Sequence, residues 1–163
     1  MRRALLALLL VGACYGAERG SIGMGAHTQG GPMMTMVYTG ENGIGVFGGY
    51  ANSRRTSLDI PVEGYFSHVD YSHSDWKSKE VIFGGMAFQV TNDFTVGVGY
   101  QSYAKHTYLY GTSQVTGWEW SVPGPTESRG SVVGMVDFRL ASSCGVFLSF
   151  NADGVGAGLT LRF

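Results

Sequence analysis

The chain has 163 residues, a formal net charge of −1 and only 14% charged side chains, which suits one domain of about 145 residues once an export segment is set aside. A nucleic-acid binder would show a basic stripe, and none is visible. Glycine at 26 positions together with 13% aromatics argues against a helical protein, because glycine weakens helices. In a β-barrel, glycine fits a crowded interior and aromatics form interfacial girdles.

In chain order, Met1-Arg2-Arg3 and the apolar run Ala4–Val11 read as a basic region and core of an export signal, since the run is far below the roughly 20 residues of a membrane-spanning helix. Val11-Gly12-Ala13-Cys14 is a loose lipobox that would leave Cys14 lipidated; cleavage after Ala13, Gly16 or Ala17 by the ordinary peptidase is the competing reading. We therefore take residues 1–17 as signal, 18–32 as an N-terminal segment and 33–163 as the folded domain. Met33–Thr39 is the expected first strand, with Ser21–Gln29 as the alternative. Glu41-Asn42-Gly43 is a hairpin tip and Gly43–Ala51 a strand. Its Gly43-Ile44-Gly45-Val46-Phe47-Gly48 matches a dinucleotide-type glycine pattern, but no strand–helix transition accompanies it, so the glycines read as small inward residues. Asn52–Thr56 is a turn and Leu58–Val69 a strand, with Pro61 demanding a bulge or a later start. Asp70–Lys77 is a polar loop, Lys79–Val90 a strand, Thr91-Asn92-Asp93 a turn and Phe94–Tyr103 the clearest internal strand. An irregular stretch runs over Lys105–Arg129. Gly130–Leu140, Cys144–Phe150 and Val155–Phe163 complete eight strands, joined by turns at Ala141–Ser143 and Asn151–Gly154.

The last strand is the most telling. Val155, Ala157, Leu159, Leu161 and Phe163 alternate with glycine, threonine and arginine, giving one apolar face and one small or polar face. The set Gly158, Leu159, Leu161 and terminal Phe163 resembles the C-terminal sorting signal of bacterial outer-membrane β-barrels. Together with the eight-strand pattern, residues 33–163 resemble the small OmpX, OmpA-barrel and opacity proteins. The resemblance implies an all-β, eight-stranded antiparallel up-and-down transmembrane barrel in the outer membrane of a Gram-negative cell. It also implies insertion by the barrel-assembly machinery, contact with outer-membrane lipid and lipopolysaccharide, and a structural, adhesion or envelope-interaction role toward a host or surface ligand. If Phe163 ends in the periplasm, the turns at 141–143, 91–93 and 52–57 are periplasmic. The connections at 104–129 and 70–78 are then external, as are the short turns at 151–154 and 41–43.

Within that frame Glu63, Asp137, Arg139 and Arg162 face inward, where charges in a narrow barrel must be paired; a salt-bridged plug is expected. Tyr108, Tyr110, Trp118 and Trp120 sit in the long loop and are surface-binding candidates, against the plainer reading that they extend the girdle or pack the loop on itself. His68, His73, Ser72, Ser74, Asp70 and Asp75 form the most chemically suggestive cluster. Lipid A deacylases use a His/Ser pair near the outer rim, but Ser72-His73-Ser74-Asp75 lacks their spacing, and His68 with His73 lacks a further convincing metal ligand. Cys144 reads as a small strand residue. The expectation is a non-enzymatic barrel without cofactor or metal and without nucleic-acid partners. A lipid-modifying enzyme, a small apolar-solute transport barrel and a soluble lipocalin-like barrel are the alternatives.

Overall fold

The computed structural model describes residues 19–54, 70–112, 117 and 119–163, with the backbone alone for 70–76, 112 and 119–120. Eight strands, β1 (Arg19–His27), β2 (Gly31–Thr39), β3 (Ile44–Arg54), β4 (Asp70–Thr91), β5 (Phe94–Thr112), β6 (Glu119–Ala141), β7 (Cys144–Phe150) and β8 (Val155–Arg162), form one closed barrel in sequence order. Every pairing is antiparallel, and β8 closes on β1 from Ser21↔Arg162 to His27↔Gly156. The expected architecture is thus present, but three elements are placed differently.

The first strand is β1, so the barrel takes in most of segment 18–32 and Met33–Thr39 falls within β2. In β1 glycine alternates with Ile22 and Met24 across both faces, which blurs the period-2 contrast of the sequence. Leu58–Val69 lies outside the described residues. Among the described residues, β3 pairs directly with β4 from Ile44↔Phe88 to Arg54↔Ser78. The third difference concerns Asp70–Lys77 and much of Lys105–Arg129, which are not loops: they pair as the upper parts of β4, β5 and β6. Prolines and glycines concealed this in β5 and β6, and a run of polar residues concealed it in β4. Pro123 and Pro125 are tolerated because β7 joins β6 only from Gly134↔Phe150 downward, so the proline nitrogens cost no ladder bond on that side, and a register shift between His106 and Tyr108 absorbs the extra residue.

These corrections reverse two connections. The end of the barrel that holds Phe163 also holds 40–43, 92–93 and 142–143, all short; the opposite end holds 28–30, 55–69, 113–118 and 151–154. The 40–43 turn, expected with the external loops, is fixed by Gly43 at φ +73°, by Gly43 N–H donating to Gly40 O at 2.9 Å and by Ile44 N–H donating to Asn42 Oδ1 at 3.0 Å. Only glycine enters that left-handed region without strain. Asn151 closes the β7–β8 turn by accepting from Asp153 N–H at 2.9 Å and Gly154 N–H at 2.7 Å.

Alternation divides the side chains cleanly. Inside, Met33, Val37, Phe47, Ala51, Val81, Phe83, Ala87, Val133, Met135 and Phe147 form one buried cluster at mid-height. Phe83 stands 6.3 Å from Phe47 and 6.1 Å from Phe147, ring centroid to centroid. The ring of Phe83 lies against Gly49, where a methyl group would collide with it. Outside, the wall positions from Gly20 to Ala26, Pro32 to Tyr38, Ile44 to Tyr50, Ile82 to Val90, Phe94 to Ser102, Gly130 to Leu140, Cys144 to Phe150 and Val155 to Phe163, taken every second residue, carry no charge at all. Leu159, Leu161 and Phe163 are each about 70% exposed there (70%, 69% and 68%). Outward aromatics fill the space above outward glycines: Phe163 over Gly20, Phe150 over Gly134 and Tyr100 over Gly130. An uncharged girdle around a sealed sheet is a surface for hydrocarbon, not for water.

Candidate functional site

Two regions of the barrel gather polar chemistry, one at each end. At the end away from Phe163, β4, β5 and β6 outlast their neighbours. β3 stops at Arg54, opposite Ser78, and β7 stops at Phe150, opposite Gly134, yet the central three strands pair on to Asp70↔Thr112 and Thr112↔Glu119. A three-stranded ribbon therefore stands clear of the wall. Among the described residues, the β6 edge over 119–133 has no strand partner. Pro123, Pro125, Glu127 and Arg129 occupy that edge, residue types that discourage indiscriminate strand pairing.

Cross-strand contacts stiffen the ribbon. Lys77 Nζ donates to Tyr108 OH at 2.7 Å and lies 4.3 Å from the centroid of its ring. Tyr108 and Tyr110 stand 6.5 Å apart at 32°. Lys105 Nζ meets Glu127 Oε1 at 3.4 Å, and Thr107 Oγ1 donates to Pro125 O at 2.6 Å. A cleft of about 370 Å³ at the ribbon's base is lined by Arg54, Lys77, Ser78, His106, Tyr108 and Thr126. The structure thus brings Tyr108 and Tyr110 together. It places Trp120 on β6 with its backbone opposite Gly111, and Trp118 lies outside the described residues. Of the histidine cluster, His73 sits in β4 opposite Tyr110, with Ser74 opposite Leu109 and Asp75 opposite Tyr108; His68 lies outside the described residues. Among the described residues, no group of three His, Cys, Asp or Glu could hold a metal ion.

At the Phe163 end, Asp137 is buried and accepts three bonds: from Ser21 Oγ at 3.3 Å, Thr160 Oγ1 at 3.2 Å and Arg162 Nη2 at 3.0 Å. Arg139 turns to the rim, with Nη1 3.6 Å from Asp93 Oδ1 and Nη2 donating to Ser142 O at 2.9 Å. Arg19 donates to Asn92 Oδ1 at 3.1 Å. Glu63, expected with these charges, lies outside the described residues. Ser21, Thr160, Asp93 and Arg19 were not singled out from the sequence. Strand parity could have found the first two, since both share the inward face of their strands with a residue already suspected, or with its partner across the ladder. Above this network the C-terminal residues close the barrel. Gly20 and Phe163 exchange backbone bonds of 3.1 Å each, the Phe163 ring meets Tyr38 edge-on at 6.3 Å, and Gly158 packs so near the β1 backbone that a Cβ would come within 2.6 Å of Met24 O.

An eight-stranded closed barrel with an uncharged outer girdle and a packed lumen has the fold of the small outer-membrane barrels. Ail, the attachment invasion locus protein of Yersinia pestis, has a similar fold, with a TM-score of 0.54 and 17% identity over 89% of this chain and 97% of that one. Neisserial surface protein A aligns over 89% of this chain and 95% of its own, with a TM-score of 0.41 and 10% identity. No family model matches the sequence, and no curated protein matches it.

Proposed function

We propose that the chain is an integral outer-membrane protein whose barrel is a rigid pedestal and whose β4–β6 ribbon is the working surface, serving attachment or another contact with the cell's surroundings. One observation carries the reading: the three strands remain paired well beyond the uncharged girdle, at the end with the longer connections. A structure that only sealed a membrane would end its strands at the rim. Short turns at one end and longer excursions at the other are the asymmetry of outer-membrane barrels, with the long side facing out. That puts Phe163 on the periplasmic side and Tyr108, Tyr110 and the free β6 edge in the medium. The attachment role named for Ail agrees with such a surface. Extended peptides add to unpaired sheet edges, and aromatic rings with an adjacent ammonium supply anchoring area. An enzyme reading has less support, since His73 lies in a paired stretch of β4 opposite Tyr110 and no described group of His, Cys, Asp or Glu gathers around it.

The test removes the ribbon and keeps the barrel. A variant joining Arg54 to Ser78 through a short turn, and Ala104 to Ser128 through another, should fractionate with the outer membrane and migrate differently with and without boiling. Cells carrying it should adhere less to epithelial or matrix-coated surfaces than cells carrying the full chain. Full adherence by the shortened form would place the working surface elsewhere.

A further inference from the structure

We propose that the lumen mouth at the Phe163 end is a binding site for a small solute oxyanion of phosphate size, held by Arg19, Arg139 and Arg162. The mouth encloses about 270 Å³ and is open to solvent on one side, just under the roughly 300–1,000 Å³ typical of sites for drug-sized ligands. Guanidinium groups reach it from β1, β6 and β8, while Thr39 and Thr95 line the same wall. The countercharge is incomplete and unevenly assigned. Asp137 is already held by Arg162, Ser21 and Thr160. Asp93 answers Arg139 at 3.6 Å from a position with 59% side-chain exposure. Among the described residues, Arg19 is met by a neutral partner, the amide oxygen of Asn92. The Nε atoms of Arg139 and Arg162 are buried without a hydrogen-bond partner, so each guanidinium keeps donor capacity beyond its bonds to Ser142 and Asp137.

Planar guanidinium forks match oxyanions two bonds at a time, and in a recess shielded by protein each charge-assisted bond is stronger than at an open surface. The occupant is a dissolved ion and not a lipid headgroup. Phe163, Tyr38, Phe94 and Phe138 stand on the outer wall at this end, between the lumen and the surrounding hydrocarbon, so access is from the aqueous end. The outer-membrane reading determines only which compartment supplies the ion; binding itself is a property of the folded barrel in any detergent. Failure of one therefore leaves the other standing.

The experiment uses the full chain folded in dodecyl maltoside, which carries no phosphate. Inorganic phosphate is titrated against chloride at constant ionic strength while the arginine Nε–H resonances are followed by ¹⁵N NMR. Phosphate should move the Arg139 and Arg162 signals saturably and chloride should not. Arg19→Gln should weaken the response about tenfold, the scale of one charged hydrogen bond, and Arg54→Gln, at the opposite end, should leave it unchanged. Arg19 touches only an exposed amide, so its variant folds even if Arg139→Gln does not. Equal responses to phosphate and chloride, an Arg19→Gln titration matching wild type, or a response only to acidic lipid vesicles would each overturn the proposal.

Discussion

Asp137 shows how a buried charge is made tolerable in a lumen otherwise filled by hydrocarbon. Its carboxylate has a guanidinium and two hydroxyls, and its side chain is only 4% exposed against 14% for Arg162. Losing one partner of such a pair leaves the other charge desolvated and uncompensated, a cost of about 3–5 kcal/mol, whereas removing both together is close to neutral. Arg162→Met should therefore lower the urea midpoint of the purified barrel strongly, and Asp137→Asn combined with Arg162→Met should recover most of the loss. A double variant as unstable as the single one would mean that Arg162 acts through packing alone. Phe147 poses the complementary case. It is fully buried against Phe83, and Phe147→Ala should cost about 3–5 kcal/mol by the cavity it leaves, read from the same unfolding curve.

Among the elements, register carries the most information and was also the most legible. Within β6, β7 and β8 the outward positions are apolar or glycine and the charges Asp137, Arg139 and Arg162 fall on the other parity, and the pairing Phe138↔Val146↔Leu159 puts the apolar set on one outer face. A one-residue slip would exchange every side chain between faces. Single cysteines at Val136 and Phe138 should accordingly react with a lipid-soluble maleimide, while cysteines at Met135 and Asp137 should not; the opposite pattern would put β6 one residue out of place. Legibility fell where contrast fell. β1 offers Gly20, Gly23 and Gly25 to both faces, and the upper parts of β5 and β6 mix Gly111, Pro123, Gly124 and Pro125 with polar residues, so neither period 2 nor strand propensity marks them. Because those stretches are held by cross-strand contacts distant in sequence, such as Lys77 with Tyr108, no local pattern could announce them. The buried placement of Asp137 beside Arg162 agrees with strand parity, but which charge meets which was not readable. Arg139 pairs with a turn residue, Asp93, that only closure of the barrel brings near it.

The whole molecule combines a girdle suited to lipid with a lumen suited to a protein core, and that combination decides between scaffold and channel. An eight-stranded barrel has an interior just wide enough for side chains to fill. Here the filling at mid-height is hydrocarbon: Phe47, Phe83 and Phe147 across the lumen, with Met33, Met135, Val81 and Val133 between them. Charge is kept to one end, Asp137 with Arg162, while the buried polar side chains among the rings, Thr35, Gln101 and Ser149, are neutral. An ion crossing would leave its water among packed rings where a few neutral side chains cannot replace its hydration shell, at a cost of many kcal/mol, so the barrel should show no conductance in a planar bilayer. The argument also says which change would open it. Phe83 fits against Gly49, and Phe47 lies against Gly97, so the plug is held by aromatic rings resting on glycine. A variant with Phe47→Ser, Phe83→Ser and Phe147→Ser would replace three rings by hydroxyls and join the polar ends. If the variant remains heat-modifiable, it should pass small cations where the wild type passes none. Steady conductance by the wild type, or a folded triple variant that still blocks all current, would show that the seal lies somewhere other than in this cluster.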